Sequence, residues 1–329
     1  MSSTKHRMAR VNGINMHIAE QGQGPLILLC HGFPETSYSW RHQLQALAQA
    51  GFHAVAPDMR GYGKTDSPDD VASFSVFDLV GDLVGLLDAL GASQAIVVGN
   101  DWGATVAWQA ALMRPDRFRG VVALGVPWMG RAPVPPTQLF PQTPEAQLYV
   151  LHFQDPGVAE PELEKDTRET LLKILFAASG EAGARQVDDG TPNPFGMVSR
   201  THGMLASLPV PASLPSWLES KDLDVFAEAF TRSGFKGGLN YYRNLDRNWA
   251  LQAALAGLKV EVPALYMVGS RDTGLNIPGM REIISAMPQS VCKLQDAVIL
   301  PECGHWLPQE RPSELSAAIV EFAERLGRC

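Results

Sequence analysis

VVGNDWGATVAW, residues 97–108, passes from an apolar run through Gly-x-Asp-x-Gly into small residues of helical character. A buried strand that turns sharply into a helix needs glycines beside the turn residue, because side chains there would clash. Gly99 and Gly103 stand in those places, with Asp101 between them. In Gly-x-Ser-x-Gly the same turn lifts a serine to the carboxyl edge of a sheet, where open α/β sheets bind ligands. Here a carboxylate takes that place. Aspartate is also a good helix N-cap, and the bare motif would support no more than that. The strand–turn–helix context favours a nucleophile. A carboxylate attacks carbon by forming an alkyl ester, which suits opening an epoxide or displacing a halide rather than cleaving an amide or ester.

On either side, short apolar runs alternate with amphipathic stretches, the pattern of a mostly parallel sheet with helices on both faces. Strands are expected at 25–30, 53–58, 95–99 and 118–127, and helices at 39–51, at 75–92 and after Asp101. After Pro127 the rhythm stops. Residues 131–147 are proline-rich and read as an ordered linker rather than a ligand for a proline-binding module. From there to about Trp249 the chain reads as helical or irregular, with a long loop at 180–196 and no clear core strand. The rhythm resumes with strands at 263–272 and 291–296 and helices at 279–287 and 313–326. The expected architecture is α/β, a mostly parallel sheet flanked by helices with an inserted helical cap: core 1–129, cap 130–250, core 251–329.

Composition sets outer bounds. The 329 residues suffice for one large domain with an insertion, and 45% hydrophobic with 19% charged residues is ordinary for a soluble globular chain. A net charge of −8 without a basic run argues against a nucleic-acid surface. The first residues lack the apolar core of a signal peptide, and no apolar stretch approaches the roughly 20 residues that span a bilayer, so no membrane partner is expected. Cys30, Cys292, Cys303 and Cys329 have no framework spacing, which suits a reducing, cytoplasmic compartment. Cys303 and His305, without a second pair elsewhere, make a poor zinc site; no metal and no cofactor is expected.

The second half of such a reaction needs a base. His305, in PECGHWLPQE (301–310), falls after the last expected strand and before the final helix, although with eight histidines present a surface role is the bland alternative. The chain order nucleophile, acid, histidine is the one used with this elbow. Asp272, ending the run 263–272, supplies the acid; Asp296 and Glu302 are its local competitors, and VPWMG (126–130) offers no carboxylate. A carboxylate of ordinary pKa is ionised at neutral pH and needs no base to attack. His305 instead deprotonates the water that attacks the ester, with Asp272 fixing its tautomer. The N–H groups of Phe33 and Trp102 are the expected donors to the oxyanion. Pro34 follows either a cis or a trans peptide, which the sequence leaves open.

HGFPETSYSWRHQ (31–43), DMRGYGKTD (58–66), GNDWGA (99–104) and ECGHW (302–306) together resemble the soluble epoxide hydrolases of the α/β-hydrolase fold, in order over nearly the whole chain. YVLHFQDPGVAEPELE (149–164) and GGLNYYRNLDRNW (237–249) carry the most specific part of the resemblance. It implies the α/β-hydrolase fold, and Tyr149 and Tyr242 as paired phenols over the nucleophile. The chemistry agrees, since a phenol of pKa about 10 can protonate the alkoxide of an opening epoxide. Either tyrosine would otherwise be a core aromatic. Tyr241 is the alternative second phenol; the spacing to Arg243, Asn244 and Trp249 favours Tyr242. Family members often carry histidine immediately before the nucleophile, where this chain has Asn100, which weakens any proton relay there and leaves Asp101 untouched. Glu35 resembles a carboxylate that orders the hydrolytic water, with a solvated loop glutamate as the alternative.

The expected reaction is cofactor-free conversion of a small hydrophobic epoxide and water to a vicinal diol through an aspartyl ester. Trp128, Leu148 and Trp306, with Phe33 and Trp102, are the expected apolar pocket. A haloalkane or haloacid dehalogenase uses the same Asp–His–Asp set, but halide leaves as a stable anion and needs N–H donors, not a proton. Two cap tyrosines therefore favour the epoxide. A non-catalytic small-molecule-binding protein on this scaffold would have little reason to keep nucleophile, acid, base and oxyanion loop together.

Overall fold

The structure, a computed structural model, describes residues 3–182, 196–295 and 297–327; Asp296, Cys329 and most of the 180–196 loop lie outside them. The chain opens with a hairpin, β1 (Lys5–Val11) antiparallel to β2 (Ile14–Gln21). Its turn is Asn12–Gly13, both at positive φ, as a two-residue turn between twisted strands requires. Next come β3 (Leu26–Cys30), α1 (Arg41–Gln49), β4 (His53–Pro57), α2 (Val76–Ala89), β5 (Ala95–Asn100), α3 (Trp102–Met113) and β6 (Phe118–Leu124). These strands are mostly apolar because both sheet faces are covered. In β3, for example, Leu26, Leu28 and Cys30 enter one core cluster while Ile27 and Leu29 enter the other.

Between β6 and the next core strand lies the inserted segment, called the cap below. It contains a separate two-stranded sheet, β7 (Ala146–Leu148) antiparallel to β8 (Met197–Ser199), which the sequence reading did not assign. Around it are α4 (Tyr149–His152), α5 (Glu160–Leu163), α6 (Thr167–Ala177), α7 (Ser220–Ser233), α8 (Lys236–Arg243) and α9 (Leu245–Leu251). The core then resumes with β9 (Val260–Gly269), α10 (Met280–Ala286), β10 (Val291–Leu294), β11 (Val298–Leu300), α11 (Leu307–Glu310) and α12 (Pro312–Arg325).

The main sheet runs β1-β2-β4-β3-β5-β6-β9-β10, with β11 also on β9. Only the β1–β2 and β2–β4 pairs are antiparallel. The strand expected at 291–296 is β10, ending at Leu294, and β11 was not expected: β10 pairs with the start of β9 and β11 with its end. The strand expected at 263–272 begins at Val260 and stops at Gly269, which leaves Asp272 in the loop beyond. Asp101, after β5, and Asp272, beyond β9, thus stand at the same carboxyl edge, one on each side of β6.

Candidate active site

Asp101 holds φ 53° and ψ −120°, a conformation that non-glycine residues adopt only under strain. Its surroundings leave no room for more atoms. A Cβ on Gly103 would lie 2.0 Å from the Cys30 carbonyl oxygen, and one on Gly99 2.1 Å from that of Gly103. A Cβ on Gly32 would lie 2.4 Å from Asp101 Oδ1. The elbow is built on backbone packed directly against backbone.

Two oxygens of one carboxylate meet different partners. The Phe33 N–H donates to Asp101 Oδ1 at 2.8 Å, and the Phe33–Pro34 peptide after it is cis. The Trp102 N–H sits at the first position of α3, where a helix offers no internal acceptor. On the other side, His305 Nε2 lies 3.5 Å from Asp101 Oδ2. His305 Nδ1 lies 2.9 Å from Asp272 Oδ2, and Asp272 Oδ1 accepts the Gly274 N–H at 2.7 Å. Burial alone would lower the His305 pKa, but the carboxylates of Asp272 and Asp101 outweigh it and hold the pKa well above its usual value. Glu302, the described competitor, is exposed and ion-paired with Arg271.

Over this carboxylate stands a box of aromatic rings. Tyr242, on α8, meets Trp102 at 5.2 Å between centroids, Phe33 at 5.7 Å, Phe153 at 5.2 Å and Tyr149 at 5.7 Å. Burial, and then nearby negative charge including Asp101, pushes both the Tyr149 and Tyr242 pKa values up. Each phenol therefore keeps its proton at neutral pH. The two tyrosine-bearing segments are tied together: Gln154 Nε2 donates to the Tyr242 carbonyl at 3.0 Å, and Arg243 reaches the Phe153 carbonyl and Glu160 at 3.0 and 2.8 Å.

An α/β-hydrolase-fold family model matches residues 25–175. Epoxide hydrolase A of Mycobacterium tuberculosis is 42% identical over 328 residues, 98% of each chain. This chain belongs to the epoxide hydrolase family of the α/β-hydrolase fold. Solved members share its architecture. Epoxide hydrolase A from Mycobacterium thermoresistibile gives a TM-score of 0.90 at 39% identity, covering 98% of both chains. An epoxide hydrolase from an endophytic Streptomyces gives 0.92 at 39% identity, over 99% of this chain and 97% of the other.

In this member of the epoxide hydrolase family, the Tyr241 hydroxyl donates to the Arg60 carbonyl at 3.0 Å. Glu35 is fully buried rather than solvated. Gln309 Nε2 and Asn100 Nδ2 donate to its two oxygens at 3.1 and 3.2 Å, while burial pushes its pKa up. Trp306 packs edge-on to the His305 ring, and its indole N–H is spent on the Leu175 carbonyl at 2.7 Å. Trp128 is buried against Trp108, and Leu148 is buried at the end of β7.

The sequence reading missed two features. Phe153 belongs to the aromatic box, and its spacing of four from Tyr149 was a helical signal. Glu310 accepts the N–H groups of Gly180, Gly304 and Trp306 at 2.9, 2.9 and 3.1 Å, pinning the His305 loop to the cap. Among the described residues, no three His, Cys, Asp or Glu side chains gather as a metal site, and no helix is long and apolar enough to cross a membrane.

Proposed function

We propose that the chain hydrolyses an epoxide to a vicinal diol through an ester of Asp101, without a metal or other cofactor. One observation carries the reading: a single carboxylate has one oxygen on a backbone N–H and the other beside a His–Asp pair, beneath two protonated phenols. Asp101 Oδ2 attacks a ring carbon from behind while the C–O bond breaks and Tyr149 or Tyr242 protonates the ring oxygen. The ester carries no charge, so His305 loses one of the two carboxylates that hold its proton. That proton can return to the phenolate. Neutral His305, oriented by Asp272, then takes a proton from water as its oxygen attacks Asp101 Cγ. The developing negative charge falls on Oδ1, against the N–H groups of Phe33 and Trp102. Collapse expels the diol oxygen, which His305 protonates; the carboxylic acid left at Asp101 then passes its proton to neutral His305, which restores the carboxylate and the imidazolium.

Glu35 fits a role in ordering that water, because its buried carboxylate reaches the site through Asn100. Tyr242 rather than Tyr241 fits the phenol role, since the Tyr241 hydroxyl is committed to Arg60. The aromatic walls favour a small hydrophobic epoxide. We further read 1–129 and 251–329 as the catalytic core and 130–250 as its cap, and the compartment as the cytoplasm, where Cys30, Cys292 and Cys303 stay free.

A single turnover in heavy-oxygen water tests the ester. The diol of the first cycle must carry the original Oδ2, and the label must enter the Asp101 carboxyl group. Label entering the diol in that first cycle, with none gained by the carboxyl group over repeated cycles, refutes the proposal.

A further inference from the structure

We infer that Gly237 is a positioning residue for epoxide opening: its backbone contact with Gly61 sets the height at which Tyr242 stands over Asp101. The inference rests on the phenol role proposed above. Gly237 lies in the first turn of α8, and Tyr242 follows five residues later on the same helix. A Cβ on Gly237 would lie 2.2 Å from the Gly61 carbonyl oxygen and 2.7 Å from Gly61 Cα. Reciprocally, a Cβ on Gly61, whose φ is +82°, would lie 2.8 Å from Gly237 Cα. These are backbone atoms, so no side-chain rotation relieves the clash.

The loop under α8 is itself held firmly. Asp58 accepts the Ser37 and Lys64 N–H groups at 3.0 and 3.1 Å and pairs with His17 at 2.8 Å. Arg60 makes a two-pronged, buried pair with Asp82 at 2.7 and 2.5 Å. Tyr241 adds the second anchor, donating from α8 to the Arg60 carbonyl. A methyl group at 237 therefore moves the helix, not the loop. Carbon atoms rest about 3.5–4 Å apart, so α8 must lift by about 1 Å. A misplacement of that size costs roughly 100-fold where reacting groups must be aligned.

The test is single-turnover kinetics on Gly237→Ala and Tyr241→Phe, with ester formation followed by quenched intact mass and ester hydrolysis by its decay. Gly237→Ala should slow ester formation about 100-fold and leave ester hydrolysis within about threefold, because His305, Asp272 and Phe33 sit on the core. Tyr241→Phe removes an anchor without a clash and should slow the same step by a smaller factor. General destabilisation would lower both steps together, or only the melting temperature. That outcome, or ester formation at the wild-type rate in either folded variant, overturns the inference. Should Gly237→Ala fail to fold, Tyr241→Phe decides alone. A wild-type chain that forms no Asp101 ester overturns the proposed reaction and this inference with it; a wild-type ester with unaltered variants overturns this inference only.

Discussion

Replacing His305 by glutamine should stop the cycle halfway. Nε2 of His305 faces Asp101 at 3.5 Å from Oδ2, while Nδ1 is held at 2.9 Å by Asp272. Glutamine can still hydrogen-bond to Asp272 but has no basic lone pair to take a proton from water. General-base catalysis contributes about 10²–10⁴ in rate, so ester hydrolysis should slow about 1000-fold, or about 4 kcal/mol of barrier. Ester formation needs no base and should persist. Mixed with excess epoxide, the variant should gain the mass of one whole epoxide per chain and hold it. The wild-type pH dependence has a definite sign. Esterification cancels the Asp101 charge and lowers the raised His305 pKa toward a working base. Ester hydrolysis should therefore quicken as pH rises through the ester-state value and then level off. A His305→Gln chain that yields diol at near the wild-type rate, or that never gains mass with substrate, refutes the division of labour.

The phenols should act on the other half. Tyr149→Phe or Tyr242→Phe should each slow ester formation by about 10²-fold, and the double variant should nearly abolish it; near-normal alkylation by the double variant would remove both from the mechanism. Asp58 offers a test of stability. Burial favours its neutral form, but the hydrogen bond and charge of His17, with the Ser37 N–H, hold its pKa at about 2. A depressed carboxyl pKa stabilises the fold above the unfolded value near 4, by on the order of 2 kcal/mol, and that gain is lost as pH falls toward 2. Asp58→Asn should therefore lower urea stability at pH 7 and matter much less at pH 2.5; an equal loss at both would show that ionisation is not what Asp58 contributes.

The main parallel strands are legible because a strand buried on both faces must be largely apolar, as in LILLC (26–30) and AIVVG (95–99). The hairpin at the start does not show as apolar strands although Asn12–Gly13 is a hairpin turn, because β1 presents a mostly exposed, polar face. β11 lies beyond the strand expected at 291–296, since the three residues Val298–Leu300 are too short a run to announce a strand. Asp101, His305 and Asp272 are legible for a different reason: each lies where a strand or loop ends at the sheet's carboxyl edge, a place that pattern reading locates. What pattern cannot supply is the partner of a polar atom. Tyr241 and Tyr242 are neighbours about 100° apart on one helix, and nothing in their spacing says that the Tyr241 hydroxyl meets the Arg60 carbonyl. Glu35 reads like any loop glutamate until Gln309, 274 positions away, is found donating to it. Gln309 is turned in its own right by Arg41, which donates to its oxygen at 2.9 Å and pairs with Asp222 on α7 of the cap. Because Arg41 can only donate, the Gln309 amide must present its NH₂ to Glu35. The buried carboxylate of Glu35 is thus oriented from the cap, through residues whose spacing carries no periodicity at all.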